Sequence, residues 1–494
     1  MNSWAIQQHP STPDQARPPA PAAAPALGRD LHLDLTVRRT AGLGLRAALE
    51  DALREATADG SLAPGTRLPS SRALAADLDI ARNTVAEAYA QLAAEGWLVS
   101  RQGSGTTVAD RAPTRRPGPV PRPAPEAAIR YDFRPGRPDL DLFPRAAWLA
   151  ATRRALARAP RDALGYSTSL GRYESRRALA DYLGRVRGVR ADPERILLCS
   201  GFAQGLALLG AELHARGTGP VAVESYGLRV HRELLEAAGP TTVPLPVDAD
   251  GARTDLLPTD GTSAVLLTPA HQFPTGTPLH PARRAAALDW ARATGGLVIE
   301  DDYDGEFRYD RQPVGAMQAL DPERVVYAGT ASKSLAPGLR LGWLVLPEDL
   351  VAPLAARKAR ADGQSSVLEQ LALAELIESG GYDRQVRRAR LHYRRRRDRL
   401  VAALATAAPR VQVSGIAAGL HALLRLPAGR TSEPDLQEQA LQQGLALDVL
   451  SRFRHPLAEP DGLPPSLVIG FGTPPEHAFQ RGLDVLGELL AANC

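Results

Sequence analysis

Lysine is almost absent from this chain: among 59 basic residues only Lys333 and Lys358 are lysines, and the others are arginines. Plain positive charge is therefore supplied by arginine, and a retained lysine is a candidate for chemistry that a guanidinium cannot do. An amine can lose its proton and form an imine with an aldehyde, whereas a guanidinium stays charged. Lys358 lies in the basic stretch AARKAR and reads as one charge on a solvated helix face. Lys333 lies in GTASKSLAPGLRLGW, with the hydroxyls of Thr330 and Ser332 before it and Arg340 after it. Two hydroxyls and a fork of N–H donors suit a dianionic phosphate. A second phosphate contact is expected in SGFAQG, a small-residue turn from strand to helix that leaves the backbone N–H groups of Gly201, Phe202 and Ala203 free to face an anion. The segment LVIEDDYDGEF ends a strand on Asp301 and Asp302, with Tyr303 next. The C-terminal ends of such strands form the usual ligand edge of an α/β sheet.

An amine, a carboxylate, a phosphate cup and a phenol are together what pyridoxal 5′-phosphate requires of a protein. Lys333 supplies the amine for a Schiff base. Asp301 or Asp302 holds the ring nitrogen protonated, and Tyr303 reaches the phenolic oxygen. No metal is expected, since the two cysteines, Cys199 and Cys494, make neither a cluster nor a disulfide framework. Cys199 reads as a small buried strand residue and His271, in AHQFPTG, as a structural hydrogen-bonding residue.

The elements that must position these groups follow from periodicity and composition. A chain of 494 residues exceeds one typical domain. The Pro- and Ala-rich residues 1–29 read as a disordered tail, residues 30–108 as a small helical domain with a hairpin, and residues 109–129 as a semi-rigid Pro/Arg linker. From residue 130 to 494 short apolar strands (196–199, 221–224, 264–268, 297–301, 325–328, 343–347) alternate with helical stretches. That pattern predicts an α/β domain with a largely parallel sheet, followed after residue 366 by a smaller α+β part. In the front domain Leu45, Leu49 and Leu53 mark one helix face. Ser70 after Pro69 caps a second helix. A third helix spans Arg82 to Glu95 and exposes Arg82, Asn83 and Thr84 on its first turn, where side chains reach base edges and phosphates. GWLVS and RQGSGTTV then form a two-stranded wing with Arg101, Gly103 and Gly105 near its tip.

The string LAPGTRLPSSRALAADLDIARNTVAEAYAQLAAEGWLVSRQGSGTTVA resembles the winged helix-turn-helix domain of GntR-type regulators, which implies double-stranded DNA contacts from Arg72, Arg82, Asn83, Thr84 and the wing residues Arg101 to Gly105. Residues 130–494, with YDFRPGRPDLDLFPRAAW, TPAHQFPTGTPL, IEDDYDGEFRY and GTASKSLAPGLRLGW in order, resemble the type I aminotransferase fold in the version carried by MocR-type regulators. The resemblance implies a multidomain protein: an α+β winged helix-turn-helix, then an α/β pyridoxal-phosphate domain. It assigns the ring-nitrogen acid to Asp301. It places Tyr166 near the partner subunit's phosphate in a head-to-tail, domain-swapped homodimer. It also implies a small-molecule effector, pyridoxal phosphate or an amino acid; if no amino-acid carboxylate is bound at Val468, the cofactor is itself the signal, which resembles PdxR-type control of vitamin B6 synthesis.

Two departures bear on the ligand. The segment ESYGLR puts Leu228 where many relatives carry an aromatic ring, with Tyr226 two residues away. SLVIGF puts Val468 where amino-acid-binding relatives carry an arginine for the substrate carboxylate, leaving Arg229, Arg232, Arg452 or Arg454 as substitutes. Losing a charge-assisted contact of about 1.5–3 kcal/mol argues against efficient transamination and for at most weak half-reactions. The run RRARLHYRRRRDR reads equally as a nucleic-acid patch or a solvated helix face. No apolar run approaches the roughly 18 residues of a membrane span, and no secretion signal precedes the first domain, so a cytoplasmic, nucleoid-associated location is expected.

Overall fold

The computed structural model describes residues 44–110 except 102, and 129–493 except 218, 310–313, 428–431 and 461. The expected disordered tail and nearly all of the expected linker lie outside the described residues. The chain divides into two compact units between residues 124 and 125. No helix among the described residues is long and apolar enough to cross a membrane.

The first unit holds α1 (Leu45–Ala58), α2 (Ser71–Asp77) and α3 (Arg82–Ala94), then the hairpin β1 (Leu98–Arg101) and β2 (Gly105–Val108). The Ser70 hydroxyl accepts the Ala73 N–H at 3.1 Å and so starts α2 where the sequence places it. Leu49, Leu53, Leu74, Val85, Tyr89, Leu92, Leu98 and Val108 close one core between helices and hairpin. Leu98 pairs with Val108 and Arg101 with Gly105, which leaves the wing tip between them. Gly103 and Gly105 take φ of +82° and +86°, a conformation side chains rarely adopt.

The second unit begins with β3 (Tyr131–Asp132) and α4 (Arg145–Arg158) and is built on one seven-stranded sheet. Its strands are β4 (Ile196–Cys199), β5 (Val221–Glu224), β6 (Thr242–Leu245), β7 (Ala264–Leu267), β8 (Leu297–Asp301), β9 (Val325–Thr330) and β10 (Gly342–Val345), in the spatial order β4-β10-β9-β8-β7-β5-β6. All run parallel except β10, which is antiparallel to β9 and β4. β6, which is not among the strands named from the sequence, carries Pro244 and lies at the sheet edge, where a missing N–H does no harm. Alternate residues enter different cores: Ile196 and Leu198 meet α5 (Tyr173–Arg187), while Leu197 and Cys199 meet α6 (Phe202–Ala215). Both sheet faces are thus buried, as near-continuous apolar strands require. Further helices are α7 (Arg229–Ala237), α8 (Pro281–Thr294), α9 (Glu348–Ala361), α10 (Val367–Glu378) and α11 (Gly381–Ala407). The smaller α+β part has an antiparallel sheet in the order β11 (Gln412–Ser414), β12 (His421–Arg425), β15 (Ser466–Gly470), β14 (Asp448–Val449), with β13 (Leu445–Ala446) pairing β3 and α12 (Glu433–Gln442) and α13 (Glu476–Asn493) packed against it.

One buried ion pair fixes how β8 ends. Arg187, the last residue of α5, donates from Nε and a terminal nitrogen to the two oxygens of Asp302 at 2.7 and 2.8 Å. The Tyr327 hydroxyl on β9 donates to the same carboxylate at 2.7 Å. Arg187 and Asp302 are 4% and 5% exposed, so neither charge has water to fall back on. Removing one member leaves an uncompensated buried charge. Arg187→Leu is therefore expected to destabilise the second unit by about 3–5 kcal/mol in urea unfolding, and Arg187→Leu/Asp302→Leu to recover part of that loss.

Candidate functional site

Three chain segments are brought together by register. Gly342 at the start of β10 pairs with Thr330 at the end of β9 and with Cys199 at the end of β4. The segment after β9, carrying Ser332 and Lys333, therefore lies beside the turn from β4 into α6. Gly342 is required at this crossing, because a Cβ there would come within 2.8 Å of the Gly201 carbonyl carbon and 2.9 Å of the Phe202 nitrogen. Gly201 has φ of +83°, and a Cβ on it would meet the Arg340 guanidinium at 2.8 Å. Arg340 itself is left-handed (φ +53°), and its guanidinium donates to the Ser200 carbonyl. The Thr330 and Ser332 hydroxyls lie 2.8 Å apart.

These groups face a cavity of about 180 Å³, whose wall includes Phe202, Ala203, Asp301, Tyr303, Thr330, Ser332, Lys333 and Arg340. The Lys333 amine donates to the Gly136 carbonyl at 2.5 Å. Burial pushes this amine below its ordinary range, opposed by the negative charges of Asp304 and Asp301. Burial pushes the Asp301 carboxyl well above the usual carboxylate range, and the neighbouring Asp302 adds to the shift. Asp301 receives no hydrogen bond from another described side chain; the His231 ring nitrogen is 4.0 Å away. Asp302 is turned to the other side, onto Arg187. The Tyr303 hydroxyl is 3.0 Å from the His271 carbonyl, to which it donates, and 3.1 Å from Nδ1 of the same residue.

The residues fit the cofactor on two structural grounds. A buried acid without a hydrogen-bonded partner stands at the cavity wall, as a protonated ring nitrogen requires. A cradle that a single Cβ would fill stands beneath a guanidinium and ahead of the α6 N-terminus, as a phosphate requires.

Sequence reasoning missed several wall residues. His231, on the first turn of α7, packs edge-on to Phe202 with ring centroids 4.9 Å apart, and burial lowers its pKa to about 4, so the imidazole is neutral. Glu224, at the end of β5, accepts from Thr268 at 2.5 Å and from Gln272 at 3.2 Å, and burial raises it to about 7. Both follow strands that the sequence located, and a neutral histidine one turn into an amphipathic helix gives no signal of its own. Tyr166 does not line the cavity and is fully exposed.

On the substrate side, Val468 is fully buried in an apolar cluster with Tyr226, Phe273, Leu423, Leu450 and Phe453. Tyr226 and Leu228 both line the cavity. Among the possible substitutes for the missing arginine, Arg229 is 77% exposed beside Glu233 and Arg452 is 64% exposed beside Asp448. Arg454 donates to the Ala458 carbonyl at 2.6 Å. Arg232 is the one that reaches the cavity wall, and it donates to three backbone carbonyls at 3.2–3.4 Å.

Lys358 requires a correction. It is 0% exposed rather than solvated, and its amine contacts both oxygens of Asp362 at 2.8 Å. Asp362 also accepts from Gln204 of α6 at 2.7 Å, so the lysine is a pinned helix-end cation. Cys199 is buried and its thiol is pushed up to about 12 by burial, which leaves it unreactive. In the arginine-rich helix α11 the run divides: Arg396 is buried onto Glu476 and the Phe471 and Gly472 carbonyls, whereas Arg384, Arg387, Arg388 and Arg395 are exposed.

In the first unit Arg72 on α2 and Arg82 and Asn83 on α3 are exposed, with Thr84 partly covered. Arg101, Gly103 and Gly105 are exposed on the wing. Arg67, which the sequence did not single out, lies along the wing, its Nε 3.2 Å from where a Gly105 Cβ would be.

Residues 45–108 match the family of bacterial regulatory proteins described as gntR, and residues 135–467 match aminotransferase class I and II. The chain is 34% identical to the HTH-type pyridoxine biosynthesis transcriptional regulator PdxR of Corynebacterium glutamicum, over 87% of this chain and 93% of that protein. It is 33% identical to the probable rhizopine catabolism regulatory protein MocR of Rhizobium meliloti, over 74% of this chain and 78% of that protein. Among solved structures, a kynurenine aminotransferase from Pyrococcus horikoshii matches at 25% identity with a TM-score of 0.66, covering 74% of this chain and 92% of that one. The front unit is thus a DNA-binding domain and the rear unit a pyridoxal-phosphate domain of aminotransferase fold, and the chain belongs to the MocR-type transcription regulators.

Proposed function

We propose that the rear unit works as a sensor of pyridoxal phosphate, or of an amine that reacts with it, and that its occupancy governs how the winged helices engage an operator. The observation that carries this reading is the asymmetry of the cavity. Its cofactor side is complete, whereas its substrate-carboxylate side is the closed apolar cluster around Val468. Bound there, pyridoxal phosphate supplies an electron sink, and the protein holds it in place. Lys333 supplies the amine, its proton affinity lowered by burial so that the neutral, nucleophilic form is accessible. Asp301 is the partner of the ring nitrogen, and Tyr303 faces the phenolic oxygen. Gly201, Phe202, Ala203, Thr330, Ser332 and Arg340 hold the phosphate. Tyr166, fully exposed in one chain, reaches the phosphate of a second subunit in a head-to-tail homodimer with exchanged DNA-binding domains. The name of the Corynebacterium glutamicum relative supports vitamin B6 supply as the regulated process. Such a protein acts in the cytoplasm, on nucleoid DNA.

Operator titrations with pyridoxal phosphate alone, and then with amino acids added, test the reading. A change in operator affinity or footprint on adding the cofactor is expected. A response only to an added amine would reject the cofactor as the signal. Steady transamination of common amino acids at about 1 s⁻¹ or more would reject the sensor reading in favour of an enzyme.

Variants in each unit separate the halves of the machine. Lys333→Ala in the full chain is expected to lose the absorbance band of lysine-bound cofactor and the ligand response, while retaining salt-sensitive DNA binding. Arg82→Ala or Asn83→Ala is expected to cost about 1–3 kcal/mol of operator affinity with relaxed sequence preference. Arg101→Ala weakens binding to all sequences alike and lowers the salt slope by about one.

A further inference from the structure

Behind Tyr303, on the side away from the cavity, lies a cluster for which the cofactor reading has no use. The Asp304 carboxylate is 2.9 Å from His271 Nδ1, and the two residues are each 3% exposed. With Asp304 ionised, Nδ1 carries the proton and donates to the carboxylate, and the Tyr303 phenol donates to the His271 carbonyl. The His271 ring is nearly parallel to that of Tyr303 and packs at 4.9 Å from His421. Space for this contact is made by a glycine: a Cβ on Gly419 would lie 2.4 Å from both Asp304 Oδ2 and His271 Cε1. Among the described residues Asp304 has no lysine or arginine within ion-pair distance; its paired base is His271. Its charge is nevertheless felt in the cavity. Among the charges that act on the Lys333 amine, that of Asp304 supports the protonated form more than that of Asp301 does. The other charged or titratable groups around the cluster include Lys333, Asp301 and Glu224 on the cavity side, His421 on β12, Glu306 and Tyr309 on the segment that follows Asp304, and Arg187 and Arg308 across a small cleft at the rear.

We propose that His271 and Asp304 are positioning residues for the cofactor site: the carboxylate fixes the imidazole, the imidazole ring packs on Tyr303, whose phenol donates to the His271 backbone carbonyl, and the buried carboxylate stands behind the cavity that Lys333 lines. This rests on Lys333 and Tyr303 being the cofactor's residues. It differs from a packing role because it makes the pH response of the bound cofactor depend on a carboxylate that does not line the cavity.

The test uses full-length protein loaded with pyridoxal phosphate and follows the bound cofactor's absorbance as a function of pH, with thermal melting in parallel. Asp304→Asn keeps the shape and removes the charge. It should lower the midpoint of the pH titration by about one unit or more, since loss of a nearby negative charge destabilises the protonated nitrogen. His271→Ala should weaken cofactor binding about tenfold, and His271→Asn, whose amide nitrogen can stand where Nδ1 stands, should restore most of it. A midpoint in Asp304→Asn within about 0.3 unit of the wild type would overturn the electrostatic role whatever the melting temperature. Equal weakening in His271→Ala and His271→Asn would overturn the positioning role, and does so independently if Asp304→Asn does not fold. A wild-type protein without a lysine-bound band that Lys333→Ala abolishes would instead overturn the cofactor reading, and the dyad with it.

Discussion

The clamp of Arg187 and Tyr327 on Asp302 goes with a division between two adjacent acids, of which Asp301 alone lines the cavity. Successive side chains of an extended strand point to opposite faces. Once Asp302 is held on the helix side, Asp301 faces the cavity, and everything placed relative to Asp301 inherits that choice. The carboxylate in the cavity is then costly, because burial and its neighbour both disfavour its charge. The ion pair outside the site is thus the mechanical condition for the unpaired acid inside it.

Much of this was open to reading in the sequence. Strong apolar strands, a serine after a proline and a lone lysine in a polar turn are local signals, and the strands, the α2 cap and the placement of Lys333 follow them. What escaped was set by tertiary context. Lys358 sits in a basic helical stretch, but a carboxylate one turn later and a glutamine from another helix cover it. Glu224 reaches the cavity at the end of β5, which pairs with β7, and His231 from the first turn of α7, which packs on α6. The choice between Asp301 and Asp302 depends on Arg187, more than a hundred residues earlier in the chain. The strand at Pro244 was not named from the sequence; its proline is tolerated because the strand lies at the sheet edge, which nothing local reveals.

The substrate side makes a related point about what an inherited fold retains. The register Leu423↔Val468 places valine in the middle of a small sheet whose neighbours fill the same apolar cluster. An arginine placed at that position would bury a charge among Phe273, Phe453 and Leu450, with Asp448 as its cross-strand neighbour. The cofactor side, by contrast, is held by backbone geometry at Gly201 and Gly342, where any added side chain collides with its surroundings.

The burial of Lys358 has one more effect. Pyridoxal phosphate condenses with any amine it can reach, and most proteins offer it many surface lysines as decoys. In this chain one of two lysines is sealed against Asp362 and all other basic side chains are arginines. Lys333 is then the lysine whose amine stands at the cavity wall, and the composition leaves an aldehyde few other side-chain amines with which to form adventitious adducts.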